Sequence, residues 1–190
     1  MVRRVFASVV AVVCLVALVA RAEPPTSAVE MVDNPPYLAW KSCGIGTTVS
    51  FSMDMSMSAL NMTMTSTGTQ TLKSVSPDEV VLETATSMAG QQQKQETRVP
   101  AKVKKGTENI PEGLDGKVTP AGKETIEVAG KKYDCELQDF SSEQQGNSLN
   151  GRIWRTPLIP GGVAKMTMEG KGADGQTMTI SMVVTAIEKK

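Results

Sequence analysis

Residues 49–64 read VSFSMDMSMSALNMTM, and their alternation decides the fold class. From Val49 to Met57 every second residue is apolar, and the residues between them are serines and one aspartate. Successive side chains of a β-strand point to opposite faces, so this pattern predicts a strand with its apolar side chains on one side. At Leu60 the apolar positions shift by one residue. Because such a slip would turn the apolar side chains to water, we predict a hairpin reversal near Ser58–Asn61.

The same alternation continues along the chain, and turn residues divide it into further strands. The predicted turns are SPDE at 76–79, Ala89-Gly90, Ala129-Gly130, Pro160-Gly161-Gly162 and Asp174-Gly175. Strands joined by short turns are antiparallel. We therefore predict an all-β fold, an antiparallel meander of about eight or nine strands that is curved into a half-barrel or open barrel.

Two stretches lack this alternation. Residues 23–42 are rich in proline and small residues, so we expect an exposed lead-in, in which Tyr37, Leu38 and Trp40 make the first contacts with the domain. Residues 104–122 are dense in Gly, Pro and Lys, which predicts a long connection that is the least structured part of the domain. No segment shows a convincing period of an amphipathic helix.

The first residues have the layout of a secretory signal. A basic start is followed by an apolar run over residues 5–20 and by Ala-Arg-Ala, so residues 1–22 are predicted to form a signal helix that is cleaved at its end. An uncleaved membrane anchor is the alternative, although the run is shorter than the ~20 residues that a spanning helix needs. Val13 before Cys14 argues against lipidation. We expect an exported protein, periplasmic or secreted, with no stable membrane span after cleavage and a single β domain over residues 43–190.

The balance of charge excludes one class of partner. Cleavage removes three arginines, which leaves 17 basic against 20 acidic residues and no histidine. Nucleic-acid binders carry clustered Lys and Arg, whereas the charges here are interspersed. No nucleic-acid partner is expected.

Enzyme chemistry finds little support in the sequence. Without histidine there is no Ser-His-Asp or Cys-His unit, and no GxSxG motif is present. Gly44-Ile45-Gly46 lacks the third glycine of a dinucleotide loop. Carboxylates such as Glu136 and Asp139 occur on any protein surface, and two separated cysteines cannot supply a zinc site. We therefore predict a protein that is not an enzyme, with no cofactor and no catalytic, cofactor-binding or metal site.

The methionines allow two interpretations. Met53, Met55 and Met57 would place three thioether sulfurs on one face, Met166 and Met168 would add two more, and soft sulfur suits Cu(I). Alternatively, methionine fills the apolar positions of a packed sheet, because the same alternating series also holds valine, phenylalanine and isoleucine. The lack of histidine favours packing. A Met-lined surface would also be adaptable enough to bind varied apolar ligands.

After cleavage two cysteines remain, Cys43 and Cys135, and two outcomes are open for them. An exported chain meets an oxidising compartment, where an even number of cysteines favours a disulfide. The alternative is two free thiols, with Cys135 a poor nucleophile because Asp134 and Glu136 would raise its pKa.

Several elements, in this order, resemble a group of small exported bacterial proteins of unknown function. They are NPPYLAW at 34–40, Ala129-Gly130-Lys131 before Cys135, Trp154 on the next strand, and Pro160-Gly161-Gly162 followed by Val163 and Lys165. In architecture this group is similar to lipoprotein-carrier (LolA-like) half-barrels. The resemblance covers most of residues 34–188 and implies a half-barrel whose concave apolar face holds acyl chains, with no catalytic residue.

Three functions remain open. The first is a non-catalytic exported β-domain that binds an apolar ligand, a lipid or an envelope protein on a concave Met-lined sheet. The second is a Met-rich periplasmic protein that handles Cu(I). The third is a purely structural or partner-binding protein.

Overall fold

The structure is a computed structural model that describes residues 29–88, 90–110, 116–144, 147–173 and 175–190. The predicted signal helix, its cleavage site and the start of the lead-in lie outside these residues. Their assignment therefore stays a prediction.

Nine long strands of the described chain form one open antiparallel sheet. Two short strands, Met31–Asp33 (β1) and Lys102–Lys104 (β6), pair with each other apart from it. The long strands are Thr48–Met57 (β2), Met62–Val75 (β3), Glu79–Met88 (β4), Gln91–Pro100 (β5), Lys117–Val128 (β7), Lys131–Gln144 (β8), Asn147–Arg155 (β9), Val163–Lys171 (β10) and Thr177–Glu188 (β11). They lie in the order β5-β4-β3-β2-β11-β10-β9-β8-β7. The predicted all-β meander, open rather than closed, is confirmed.

Local turn chemistry accounts for the hairpins. Between β2 and β3, Ser58–Leu60 forms a single 3-10 turn and Asn61 adopts a left-handed conformation with φ 44°, which asparagine tolerates better than most residues. Between β7 and β8, Ala129 and Gly130 both have positive φ, 51° and 72°, as a two-residue turn that matches the twist of its strands requires. Both of these predicted reversals are confirmed.

Pro35–Lys41 forms a short helix (α1) where the sequence predicted an exposed lead-in. Proline at the first helical positions has its φ already set for a helix and lacks only an amide that would be unbonded there. Tyr37 and Trp40 are 2% and 1% exposed, whereas Leu38 is 47% exposed. The helix was not predicted, whereas Tyr37 and Trp40 contact the domain as predicted and Leu38 does not. Seven residues are too few to show a helical period in sequence.

The predicted connection over residues 104–122 is shorter than expected. β7 begins at Lys117, and a bulge between Pro120 and Gly122, which has φ 124°, keeps this strand paired with β8. Residues 105–110 form turns, and residues 111–115 lie outside the description. The prediction was wrong for the last residues because bulged strands also carry Pro and Gly.

The buried core lies at one end of the sheet, which we call the core end. The core end contains α1 and the β3–β4 and β7–β8 turns. The opposite end contains the β2–β3 turn, and we call it the far end. The Tyr37 hydroxyl donates to the carbonyls of Ser76 and Pro77 at 2.8 and 3.1 Å, which fixes α1 to the β3–β4 turn. The largest apolar side chains buried in this core are Trp40, Val49, Leu72, Val80, Leu82, Val128, Leu137, Trp154, Ile159 and Val184.

Candidate functional site

The register of the sheet places nearly all the methionines on one face. Residues directly opposite each other on antiparallel strands share a face, and Met53 lies opposite Met182, which lies opposite Met166. Every methionine except Met1 and Met31 is on this side. We define the Met face as the ten side chains on β3, β2, β11 and β10, namely Met53, Met55, Met57, Met62, Met64, Met166, Met168, Met178, Ile180 and Met182.

Most of the Met face is half-exposed. Met168 is 7% exposed and Met62 is 38% exposed, and the other members lie between these values. In the described part of the chain, only α1, the β1–β6 pair and single turns lie outside the sheet, and α1 contacts β4 and β5. The prediction that methionine fills a packed core is met fully at Met168, whereas the other methionines of the face are only partly buried and Met62 is exposed. Alternation shows which side chains share a face but not whether a second layer covers them.

The methionines form rows that cross neighbouring strands. Met57 lies directly opposite both Met62 and Met178, and Met55 lies opposite Met64. Side chains paired in this way have Cβ atoms about 4.5–5.5 Å apart. The rows therefore join into one continuous thioether surface that extends toward the far end.

Arg155 lies at the core end on the same side of the sheet as the Met face. It shares the side of Ile153, which lies opposite Met166. Its Nε donates to Gln138 Oε1 at 2.8 Å, and its terminal nitrogen donates to the Asn109 carbonyl at 2.8 Å. Burial lowers the pKa of the Arg155 guanidinium. Sequence analysis did not single out Arg155, although its position two residues after Ile153 indicated the shared face.

The opposite side of the sheet, which we call the polar face, carries serines, threonines and cross-strand ion pairs. Arg152 and Asp139 lie directly opposite each other, and their Nε and Oδ1 atoms are 2.7 Å apart. The hydrogen bond from Arg152 lowers the pKa of Asp139. Exposed pairs of this kind contribute little to stability but keep the face hydrated.

Two shallow grooves open on the polar face. One, of about 590 Å³, crosses β7 to β11, and the other, of about 510 Å³, crosses β11 and β2 to β5. Polar-face residues that line them include Asp139, Asn150, Arg152, Thr167, Ser52 and Thr67. The resemblance implied a concave apolar surface, but these depressions are lined mainly by polar side chains, and the methionines face the other way. That part of the expectation is not met.

Trp154 lines the first groove but is itself mostly enclosed. Its indole nitrogen donates to Glu124 Oε2 at 2.9 Å, the Lys165 ammonium lies 4.7 Å from the ring centroid, and the residue is 7% exposed. A ring with one face under a lysine and its nitrogen bonded has little surface left for stacking on a ligand. Trp154 therefore serves packing.

Both cysteines are free thiols, so of the two outcomes that the sequence left open the structure has the one without a disulfide. Cys43 Sγ donates to the Ala39 carbonyl at 3.4 Å and Cys135 Sγ to the Tyr133 carbonyl at 3.7 Å. The pKa of Cys135 is raised, first by burial and then by the charges of Asp134 and Glu124. Asp134 acts as predicted, whereas the second carboxylate is Glu124 on β7 rather than Glu136.

The two carboxylates noted in the sequence do not form a pair. Glu136 lies opposite Arg155, on the Met side, and Asp139 lies opposite Arg152, on the polar side. In the described part of the chain, no three Cys, Asp or Glu side chains are grouped as metal ligands would be. Within the same residues, no helix combines the length and the apolar character needed to cross a membrane.

Comparison with known proteins gives distant structural neighbours. No family model and no curated protein matches this chain. A protein from Bacteroides fragilis, described as exported and of YmcC-like fold, is 11% identical with a TM-score of 0.48, over 77% of this chain and 97% of its own. A domain from Vibrio parahaemolyticus, described as an outer membrane lipoprotein-sorting protein, is 8% identical with a TM-score of 0.27, over 77% and 86%. A DUF1329 family protein from Desulfovibrio piger is 8% identical with a TM-score of 0.25, over 84% and 94%.

These neighbours are of the kinds that the sequence resemblance pointed to, exported proteins and a lipoprotein-sorting domain. All three TM-scores are below 0.5. We therefore take from them neither a fold assignment nor a function for this chain.

Proposed function

We propose that this protein is a non-catalytic exported β-domain that holds the acyl chain of a lipid on its Met face. One observation carries the proposal: nine methionines and one isoleucine form a continuous, mostly half-exposed surface on four adjacent strands. A sheet with an apolar face normally buries that face against another layer. Soluble monomers rarely expose a contiguous apolar patch larger than a few hundred Å² unless it binds something.

The chemistry of methionine fits an acyl chain. The side chain is unbranched, has three rotatable bonds and is polarizable, so a surface of methionines adapts to apolar partners of irregular shape. A rigid aromatic or branched surface would select one shape instead. The sequence resemblance to lipoprotein-carrier-like proteins implies the same kind of ligand, and the signal layout of residues 1–22 supports export.

Native mass spectrometry of the protein, produced with its signal and purified without detergent, tests this function. We expect a lipid adduct, or binding of added lysophosphatidylcholine after lipid removal. The double variant Met55→Gln with Met57→Gln should lose the adduct, because it makes the middle of the face polar. The matched control is Ser52→Gln with Ser56→Gln, on the same strand but on the polar face, and it should keep the lipid. The proposal is contradicted if wild-type protein carries no lipid adduct after purification and also binds no added lysophosphatidylcholine.

A second candidate function, Cu(I) binding, is favoured by one row of the Met face. Met57 lies between Met62 and Met178, directly opposite both. Three thioethers on adjacent strands form the soft ligand set that Cu(I) prefers. If this function holds, wild-type protein under reducing conditions binds one equivalent of Cu(I), Met62→Leu weakens binding, and Met166→Leu does not. Absence of stoichiometric Cu(I) would rule it out.

A further inference from the structure

The two arginines of β9 differ in their partners. Arg152 and Arg155 are three residues apart and therefore point to opposite faces of the sheet. Arg152 is half-exposed on the polar face and paired with Asp139 through two hydrogen bonds, at 2.7 and 3.3 Å. In the described part of the chain, no carboxylate lies within 4.0 Å of Arg155.

Among the described residues, the hydrogen-bond partners of Arg155 are neutral. They are the amide oxygen of Gln138 and the backbone carbonyl of Asn109. Glu136 is directly opposite on β8, and Glu108 precedes Asn109 in the turns of residues 105–110, yet neither forms an ion pair with Arg155. A guanidinium offers more N–H donors than these two bonds use. Burying a charge without a counter-charge is costly, so proteins pair such groups or use them to bind.

Arg155 lies at one end of the apolar side of the sheet. On the same face, Met166 lies beside Ile153, and Met182 and Met178 continue the partly exposed apolar surface to the far end, whereas Ile153 and Met168 are themselves buried. From Arg155 to the row of Met178 is six residues of strand, about 20 Å at the usual rise. That is the length of a long acyl chain, and one end of the path is cationic while the rest is apolar.

We propose that Arg155 binds the anionic headgroup of the lipid whose acyl chain lies on the Met face. This inference rests on the proposed function and names its ligand class, a lipid with a phosphate or carboxylate head and net negative charge. A guanidinium suits such a head because its planar donors match two oxygens of a phosphate or carboxylate at once. The bond to the Asn109 carbonyl holds the guanidinium at the edge of the face.

Arg155 also has a structural role, because its bond to Asn109 fixes the segment of residues 105–110 to the sheet. The experiment must separate this role from binding of the headgroup. The variants are therefore Arg155→Gln, which removes the charge and keeps amide donors, and Arg155→Lys, which keeps the charge. Arg152→Gln removes one positive charge from the same strand on the other face. Thermal unfolding of each variant is measured first, so that binding is compared only among folded proteins.

The measurement is the dissociation constant of each protein for lysophosphatidylglycerol, which is anionic, and for lysophosphatidylcholine with the same acyl chain, which is zwitterionic. We expect wild-type protein to bind the anionic lipid at least about tenfold more tightly, the scale of a charged hydrogen bond. Arg155→Gln should abolish that preference without changing affinity for the zwitterionic lipid, Arg155→Lys should retain part of it, and Arg152→Gln should keep it.

Equal binding of both lipids by the wild-type protein overturns the headgroup assignment and leaves the acyl-chain function intact. A preference that survives Arg155→Gln also overturns it. If neither lipid binds, the proposed function itself has failed. If the Arg155→Gln protein is unfolded, the test uses Arg155→Lys instead. For that variant, complete loss of the preference for the anionic lipid contradicts the assignment, and so does a preference that is not reduced at all.

Discussion

Gly68 on β3 has no side chain because the ring of Phe51 occupies that space. Phe51 lies directly opposite on β2, and a Cβ added to Gly68 would overlap the tip of its ring. Gly68→Ala must displace the ring, and we expect it to lower the free energy of unfolding by about 1–3 kcal/mol, as overpacking does. Urea unfolding measures this.

Gly170 on β10 is the matched control for Gly68. A Cβ there would meet its neighbours at 3.7 Å or more, which is ordinary contact. Gly170→Ala should therefore be neutral or slightly stabilising, because alanine restricts the unfolded chain. Equal destabilisation by both substitutions would show that the Phe51 ring is not packed on Gly68.

The cysteines give a second residue-scale prediction. Because burial and two carboxylates raise the pKa of Cys135, it holds little thiolate at neutral pH and should react with iodoacetamide more slowly than the half-buried Cys43. Its rate should rise only as the pH is raised above the ordinary thiol range. Mass spectrometry of alkylated, non-reduced protein should find both thiols modified after unfolding. A peptide in which Cys43 is linked to Cys135 would contradict the structure.

At the scale of elements, α1 closes the core end of the sheet with one large side chain. Trp40 is 1% exposed, and its indole nitrogen lies close to Gly161 of the β9–β10 connection. Trp40→Ala should destabilise the protein by about 3–5 kcal/mol, the usual cost of removing a buried tryptophan. Leu38→Ala, on the same helix but 47% exposed, should change stability by no more than ~0.5 kcal/mol. Similar losses for both, measured by thermal unfolding, would contradict the packing of α1.

The elements differ in how far the sequence could predict them. At Ser58–Asn61 a break in alternation coincides with an asparagine, which tolerates positive φ, and Ala129-Gly130 supplies a glycine between two strand patterns, so both hairpins were predictable. α1 was not, because its helical turns are stabilised by contacts of Tyr37 and Trp40 with distant strands. The start of β7 was missed because Pro120 and Gly122 resemble a loop until pairing with β8 is known.

At the scale of the whole molecule, secondary structure gives a simple prediction. The described chain contains one helix of seven residues against nine long strands. Circular dichroism of the mature protein should show less than about 15% helix, well below the average of globular proteins. Strong double minima at the helix bands would contradict the fold.

The whole molecule also shows why the candidate site was only half predictable. Alternation correctly grouped Met53, Met55 and Met57 on one side, because the period of a strand is a local property. Whether that side is covered depends on elements far away in sequence, such as Gly116 just before β7, which lies against Phe140. Arg155 was missed for the same reason, since its bonds to Gln138 and to the Asn109 carbonyl are tertiary contacts.

The most direct test of the central claim is oxidation of the methionines by hydrogen peroxide, with and without saturating lysophosphatidylglycerol, followed by mass spectrometry of each peptide. The Met face is half-exposed, so Met55, Met57 and Met62 should oxidise readily in the free protein. Bound lipid should slow their oxidation severalfold, while Met31 on β1, which is 51% exposed and outside the face, should be unaffected. Oxidation of Met55, Met57 and Met62 at unchanged rates in lipid-saturated protein would contradict the account.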